Sequence, residues 1–167
     1  MIGISAATIV FIAFNFLYLK DYFNTVQPVK YILNQETKDE FLSRNVGSYP
    51  AMRYINENLP DDARISLILL GGRGYYMDRP YHIAGMNALK RMVKASKDGL
   101  SFQTCLQLLH CTHILMRTDL VNKYLQDNFS REEIEHFINL AKKYWKLVYE
   151  SNGYAVMEVR SEFSITN

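Results

Sequence analysis

Met1 to Leu19 reads MIGISAATIVFIAFNFLYL, with no charged side chain and only Ser5, Thr8 and Asn15 as polar ones. An α-helix rises about 1.5 Å per residue, so this run reaches about 28 Å, close to the hydrocarbon thickness of a bilayer. Tyr18, Lys20 and Tyr22 follow, where aromatic and basic anchors meet headgroups. One transmembrane helix over residues 1–20 is therefore expected. A buried core helix and a secretory signal peptide are the alternatives. Charge-free runs of this length are uncommon in soluble domains, and a signal peptide has a basic start and a small-residue cleavage site. Nothing basic precedes this run, and Tyr18 to Tyr22 offers no such site. A span that starts at residue 2 without a polar flank looks like the last helix of a longer protein.

Beyond it lie about 148 residues, enough for one domain with a real core and not comfortably for two. All 19 Lys and Arg follow the apolar run, which favours a cytoplasmic C-terminal part. A domain this long translocates regardless of charge, so the bias does not fix orientation. Acidic and basic residues are interleaved, and the formal net charge of +2 is too small to imply nucleic acid as a partner. Cys105 and Cys111, on one helix, would place their Cα atoms about 9 Å apart, too far for a disulfide. His110-Cys111-Thr112-His113 matches no zinc spacing, and no second ligand cluster exists, so neither metal nor cofactor is expected.

Residues 21–45 read as a linker or interfacial segment, extended around Gln27-Pro28 and strongly polar from Asn34 to Arg44. Residues 46–162 read as the soluble domain. Pro50 sits in the first turn of a helix whose Met52, Ile55 and Leu59 share a face, and Pro60 ends it. Arg64 to Leu70 is an apolar run of strand length without alternation, as in a strand covered on both faces. Tyr81 to Ala84 reads as a shorter strand. Helices are expected over Asn87 to Ala95 and from a Ser101 cap through Leu109. Thr112 to Met116 reads as a strand. Ser130 and Glu133 form a capping box opening a helix that buries Ile134, Phe137, Ile138 and Ala141. Tyr144 to Glu150 and Tyr154 to Val159 flank Asn152-Gly153, a strong hairpin signal. Strands separated by helices favour a mixed sheet with a parallel centre and an antiparallel hairpin at one side. The expected fold is thus α/β, a small mixed-sheet sandwich with a C-terminal antiparallel hairpin, preceded by one transmembrane helix.

The strongest candidate binding site is the loop after the first strand, because ligands of open α/β sheets gather outside the carboxyl ends of strands. Gly71, Gly72 and Gly74 permit close backbone approach, while Arg73 and Arg79 offer bidentate donors to phosphate oxygens. Tyr75, Tyr76, Asp78 and Tyr81 add an aromatic and charged cluster suited to stacking on a sugar ring or resting on headgroups. A plain tight turn with locally packed tyrosines is the competing reading, since the loop is neither G-x-G-x-x-G nor a Walker A sequence. His82, His110, His113 and His136 are scattered, and no nucleophile–base pairing is visible. No catalytic residue is assigned.

Several strings together carry a resemblance. A terminal apolar span is followed by Tyr49-Pro50-Ala51-Met52-Arg53-Tyr54-Ile55-Asn56-Glu57-Asn58-Leu59-Pro60, then an apolar strand and Gly72-Arg73-Gly74-Tyr75-Tyr76-Met77-Asp78-Arg79. Leu106, Leu109 and Thr112-His113-Ile114-Leu115 precede Leu147-Val148-Tyr149-Glu150 and Gly153-Tyr154-Ala155-Val156. The pattern resembles the C-terminal extramembrane domain of bacterial polytopic glycosyltransferases of the GT-C type. Protein O-mannosyltransferases and lipid A aminoarabinose transferases belong among them, and they use polyprenyl-phosphate sugars. The resemblance spans roughly residues 1–160. It implies an accessory domain on the periplasmic side of the bacterial inner membrane. Its partners would be the bilayer, the transmembrane part of a larger transferase and a lipid-linked sugar. The catalytic acid of such enzymes lies in an early external loop that this chain lacks, so the chain alone is expected not to transfer sugar. The alternatives are a single-pass membrane protein whose domain binds a protein or carbohydrate, and a phosphate-binding small-molecule domain.

Overall fold

The structure, a computed structural model, describes residues 2–160; for residues 2–7 and 9 it describes the backbone alone. The chain falls into two units, one ending at Val46 and one beginning at Gly47.

In the first unit, α1 (Ile2–Val26) takes in residues 2–20 of the expected span and continues past it. Among the described residues, no helix is long and apolar enough to cross a membrane. The stretch expected to be extended around Gln27 is instead helical on both sides. α1 runs on to Val26 because adding a residue to an existing helix is far easier than nucleating one. Gln27 then turns at φ 46°, and Pro28 opens α2 (Pro28–Ile32) in the first turn, where a missing N–H costs nothing. α3 (Lys38–Asn45) starts from Thr37, which with Glu40 forms a capping box. Arg44 reaches back from α3, its Nη1 donating to the Val26 carbonyl at 2.8 Å and its Nη2 to Glu36 at 2.8 Å. The orphan carbonyl at the end of α1 thereby gains a charged donor.

The second unit is a three-layer α/β sandwich. Its five strands are β1 (Ile65–Ile68), β2 (Tyr81–Ile83), β3 (His113–Arg117), β4 (Trp145–Ser151) and β5 (Tyr154–Val159), arranged in the order β2-β1-β3-β5-β4. β1 pairs parallel with both β2 and β3, and β5 pairs antiparallel with β3 and β4. The parallel centre and the flanking hairpin are those the sequence predicts. Asn152 and Gly153 both take positive φ, 52° and 76°, as the hairpin turn requires. β1 is shorter than the apolar run because Leu69 enters the left-handed region at φ 59° and leaves the ladder.

Side chains alternate across the sheet. Ile65, Leu67, Leu115 and Val156 point to one face, where α4 (Tyr49–Asn58) buries Ala51, Met52 and Ile55. Ile68, Ile114, Met116 and Ala155 point to the other. There they meet α5 (Gly85–Ala95), α6 (Gly99–Leu108), α7 (Thr118–Asn128) and α8 (Arg131–Tyr144). Two apolar faces explain why the strand sequences show no alternation.

Strand ends shift by a residue or two from expectation, and three helices differ in their start or in being expected at all. α6 is capped by Asp98, whose carboxylate accepts from the N–H groups of Leu100 and Ser101, so Ser101 lies inside the helix. A carboxylate at this position also meets the positive end of the helix dipole. α5 begins two residues early, at Gly85. α7 has no counterpart among the sequence expectations, because only Val121 and Leu125 are buried and that stripe is too narrow to stand out.

Candidate functional site

The loop between β1 and β2 leaves the carboxyl end of the parallel strands, and the structure divides its residues among three places. The first is a cleft of about 210 Å³ lined by Gly71, Arg73, Arg117, Leu120 and Tyr154 together with Leu69 and Leu70. Gly71 sits at φ 64°, and a Cβ added at Gly71 or Gly72 would meet nothing within 4 Å. Arg117 is held by a bidentate pair with Asp119, Nε to Oδ1 and Nη2 to Oδ2 both at 2.9 Å, and its guanidinium lies 6.0 Å from the Tyr154 ring centroid. The same pair raises the Arg117 pKa and lowers that of Asp119. Arg73 is exposed and has no ion-pair or hydrogen-bond partner among the described residues. It is therefore the cation in the cleft whose charge is not already matched.

The second place is an aromatic cluster. The rings of Tyr75 and Tyr76 lie 4.4 Å apart, and Tyr76 meets Tyr49 edge-on at 5.3 Å. Desolvation and the neighbouring Tyr75 raise the Tyr76 pKa. Tyr75 itself is 69% exposed and presents a ring to solvent. Gly74 is buried against Tyr81, and a Cβ there would collide with the Tyr81 ring.

The third place is a latch to α4. Asn56 donates from Nδ2 to the Tyr76 carbonyl and accepts the Asp78 N–H at Oδ1, each at 2.9 Å. Arg79 turns inward: its Nη2 donates to the carbonyls of Leu59 at 2.9 Å and Asn56 at 3.1 Å, and its Nε to Pro60 at 3.0 Å. Asp61 pairs with the same Nη2 at 2.9 Å. Nε and Nη2 of Arg79 thus bond carbonyls at and just beyond the last turn of α4, where helix carbonyls lack partners. The guanidinium fork is therefore not turned toward the cleft holding Arg73.

Gly72, Arg73, Gly74, Tyr75, Tyr76, Asp78 and Arg79 thus do not converge on one point. Arg117, Leu120 and Tyr154 join Arg73 without being singled out by the sequence reading. Their approach follows from strand order: β3 lies beside β1 in a parallel sheet, so the Arg117-Thr118-Asp119 exit neighbours the glycine loop. Among the described residues, no group of three or more His, Cys, Asp or Glu could hold a metal ion. The arrangement can receive a small anion against Arg73 and stack a planar or sugar ring on Tyr75. It offers no paired acid and base.

No family model matches this chain, and no curated protein matches it. Among solved structures it is similar to the crystal structure of the C-terminal globular domain of an oligosaccharyltransferase from Archaeoglobus fulgidus. The identity is 14%, the coverage 75% of this chain and 99% of that one, and the TM-score 0.47.

Proposed function

We propose that this chain is a membrane-anchored C-terminal accessory domain of a GT-C type glycosyltransferase. Such an enzyme uses a polyprenyl-phosphate sugar donor, and this part carries no catalytic residue of its own. α1 is the anchor in this reading: residues 1–19 are free of charge, and Phe11, Phe14, Phe16 and Leu17 are exposed apolar side chains that need cover. The domain faces the periplasm of a bacterial inner membrane. The Gly71–Tyr81 loop meets the lipid-linked sugar, with Arg73 toward phosphate and Tyr75 toward the sugar ring.

One observation carries the reading. The two most distinctive strings of the resemblance, Tyr49–Pro60 and Gly72–Arg79, interlock in space. Asn56 of the first holds the backbone of the second, and Arg79 of the second holds the end of the first. The two strings therefore fold as one structural unit, with the loop held on α4.

Site-specific photo-crosslinking in bacterial membranes tests it. With a benzophenone amino acid replacing Tyr75, cross-links are expected to a polytopic membrane glycosyltransferase and to a radiolabelled polyprenyl-phosphate sugar. Protease should reach residues 47–160 only from the periplasmic side. Release of the chain by alkaline carbonate, or cross-links to soluble proteins alone, would overturn the proposal. The exposed ring of Tyr75 favours one second reading, a single-pass protein whose domain binds free carbohydrate. Labelling by an oligosaccharide without any lipid-linked sugar would select it.

A further inference from the structure

A separate cavity of about 370 Å³ opens at the amino ends of β1 and β3, the sheet edge opposite the glycine loop. Backbone hydrogen bonds set its floor. The Thr112 N–H donates to the Arg64 carbonyl at 2.9 Å, the Val159 N–H to Thr112 at 2.9 Å, and the Arg160 N–H to Tyr144 at 2.8 Å. These bonds place Arg64, Thr112, Arg160 and Tyr144 in one row across neighbouring chain segments. Arg64, Arg160, His110 and His113 all line the cavity, against one carboxylate, Glu158. Glu158 already has a cation, Lys146, at 3.6 Å.

Three observations mark this cavity as built for a ligand. Arg64 and Arg160, both exposed, have no ion pair or side-chain hydrogen bond among the described residues, as Arg73 and Arg91 do not, but only these two line one cavity together. Tyr144, buried, accepts at its hydroxyl from Gln103 Nε2 at 2.7 Å, and its own proton has no acceptor among the described residues. Finally, His110 follows α6 in the left-handed region at φ 46°, a position where glycine or asparagine is usual, and brings a ring to the cavity edge.

We propose that this cavity binds an organic phosphate of about hexose size. Its phosphate lies between Arg64 and Arg160, and its body rests against Tyr144, Leu106 and Val159. Two guanidinium forks suit a dianion whose oxygens accept in pairs. The volume sits at the small end of ligand pockets, about 300–1,000 Å³, which admits one ring and its phosphate but little more. Burial lowers the His113 pKa, and its Nδ1 lies 2.9 Å from Thr112 Oγ1. The site is independent of the proposed transferase role, since no residue of the Gly71–Tyr81 loop lines it.

Isothermal titration of the full chain in lipid nanodiscs, with glucose 1-phosphate and inorganic phosphate as probes, tests this. Glucose 1-phosphate is expected to bind with Kd of about 1 mM or tighter, and about tenfold more tightly than inorganic phosphate. Arg64→Ala and Arg160→Ala should each weaken it about tenfold, with Arg64→Lys milder because the charge stays while the fork is lost. Arg91→Ala, at an exposed arginine of α5 outside the cavity lining, should leave it unchanged. Competition by polyprenyl phosphate in the nanodisc would assign the phosphate to a lipid headgroup, and its absence to a free metabolite. Equal affinity for inorganic phosphate overturns the organic ligand. Binding that survives the Arg64→Ala/Arg160→Ala double variant, folded by circular dichroism, or that falls with Arg91→Ala, overturns the site.

Discussion

Nη2 of Arg79 lies 2.9 Å from the carbonyl oxygen of Leu59, closing the end of α4 with a side chain 20 residues downstream. Its side chain is only 15% exposed, so the bonds form away from bulk water. Hydrogen bonds to charged groups contribute about 1.5–3 kcal/mol, and removing the donor leaves helix carbonyls unpaired. Arg79→Met is therefore expected to cost about 2 kcal/mol. Arg73→Ala, at an exposed guanidinium, should stay within about 0.5 kcal/mol. Urea unfolding of the full chain in detergent micelles measures both. Equal losses would mean that Arg79 is no more structural than Arg73.

Gly71 and Gly74 are glycines for different reasons, and a double-mutant cycle separates them. Gly71 sits at φ 64° in open space, so Gly71→Ala meets only backbone strain, about 1 kcal/mol. Gly74→Ala instead drives a methyl group into the Tyr81 ring. Overpacking costs about 1–3 kcal/mol where neighbours cannot move, and the half-exposed Tyr81 can swing outward, so the low end is expected. In a Tyr81→Ala background the Gly74→Ala loss should vanish while that of Gly71→Ala persists. A Gly74 penalty unchanged in that background would rule out the ring as its cause.

How much of this was readable from the sequence depends on range. The Ser130–Glu133 capping box, the Asn152-Gly153 turn and the Pro50 helix start are each decided within a few residues, and all stand as read. Asp98 displaced Ser101 as the cap of α6 because two acceptors compete within one turn, and the carboxylate holds two N–H groups. The inward course of Arg79 is fixed only when the loop folds back over α4. The meeting of Arg73 with Arg117 and Tyr154 follows from strand order, which no local pattern encodes. α7 hides because two buried residues suffice to hold it.

Titration of His113 supplies a pH prediction. Its Nδ1 lies 2.9 Å from Thr112 Oγ1, and burial lowers its pKa, while the facing Glu158 pulls the other way. Arg64 and Arg160 line the same cavity. A histidine whose folded pKa is depressed favours the folded state fully above the unfolded value, about 6.5. That contribution is lost as pH falls from there through the folded value. The unfolding midpoint should accordingly start to drop near pH 6.5, and His113→Gln should flatten this part of the profile. Loss below about pH 4.5 should remain, because Glu40, Asp98, Asp119 and Glu133 have lowered pKa values. An identical profile for the variant would remove His113 from the account.

Phe102 is the last test, and the one with its own spectroscopic reporter. It is fully buried, with ring centroids 6.1 Å from Phe137, 5.8 Å from Tyr144 and 6.3 Å from Trp145. These four rings come from α6, α8 and the start of β4, so the cluster ties the helical layer to the hairpin. Phe→Ala at such sites costs about 3–5 kcal/mol, a large share of the 5–15 kcal/mol that a domain has in total. Phe102→Leu keeps most of the volume and should cost less than about 1.5 kcal/mol. Trp145 is the single tryptophan, so its emission reports this cluster directly. Phe102→Ala should shift that emission to longer wavelength at denaturant concentrations where the parent chain is still folded. An unchanged midpoint and spectrum would mean that the four rings do not form the centre of this core.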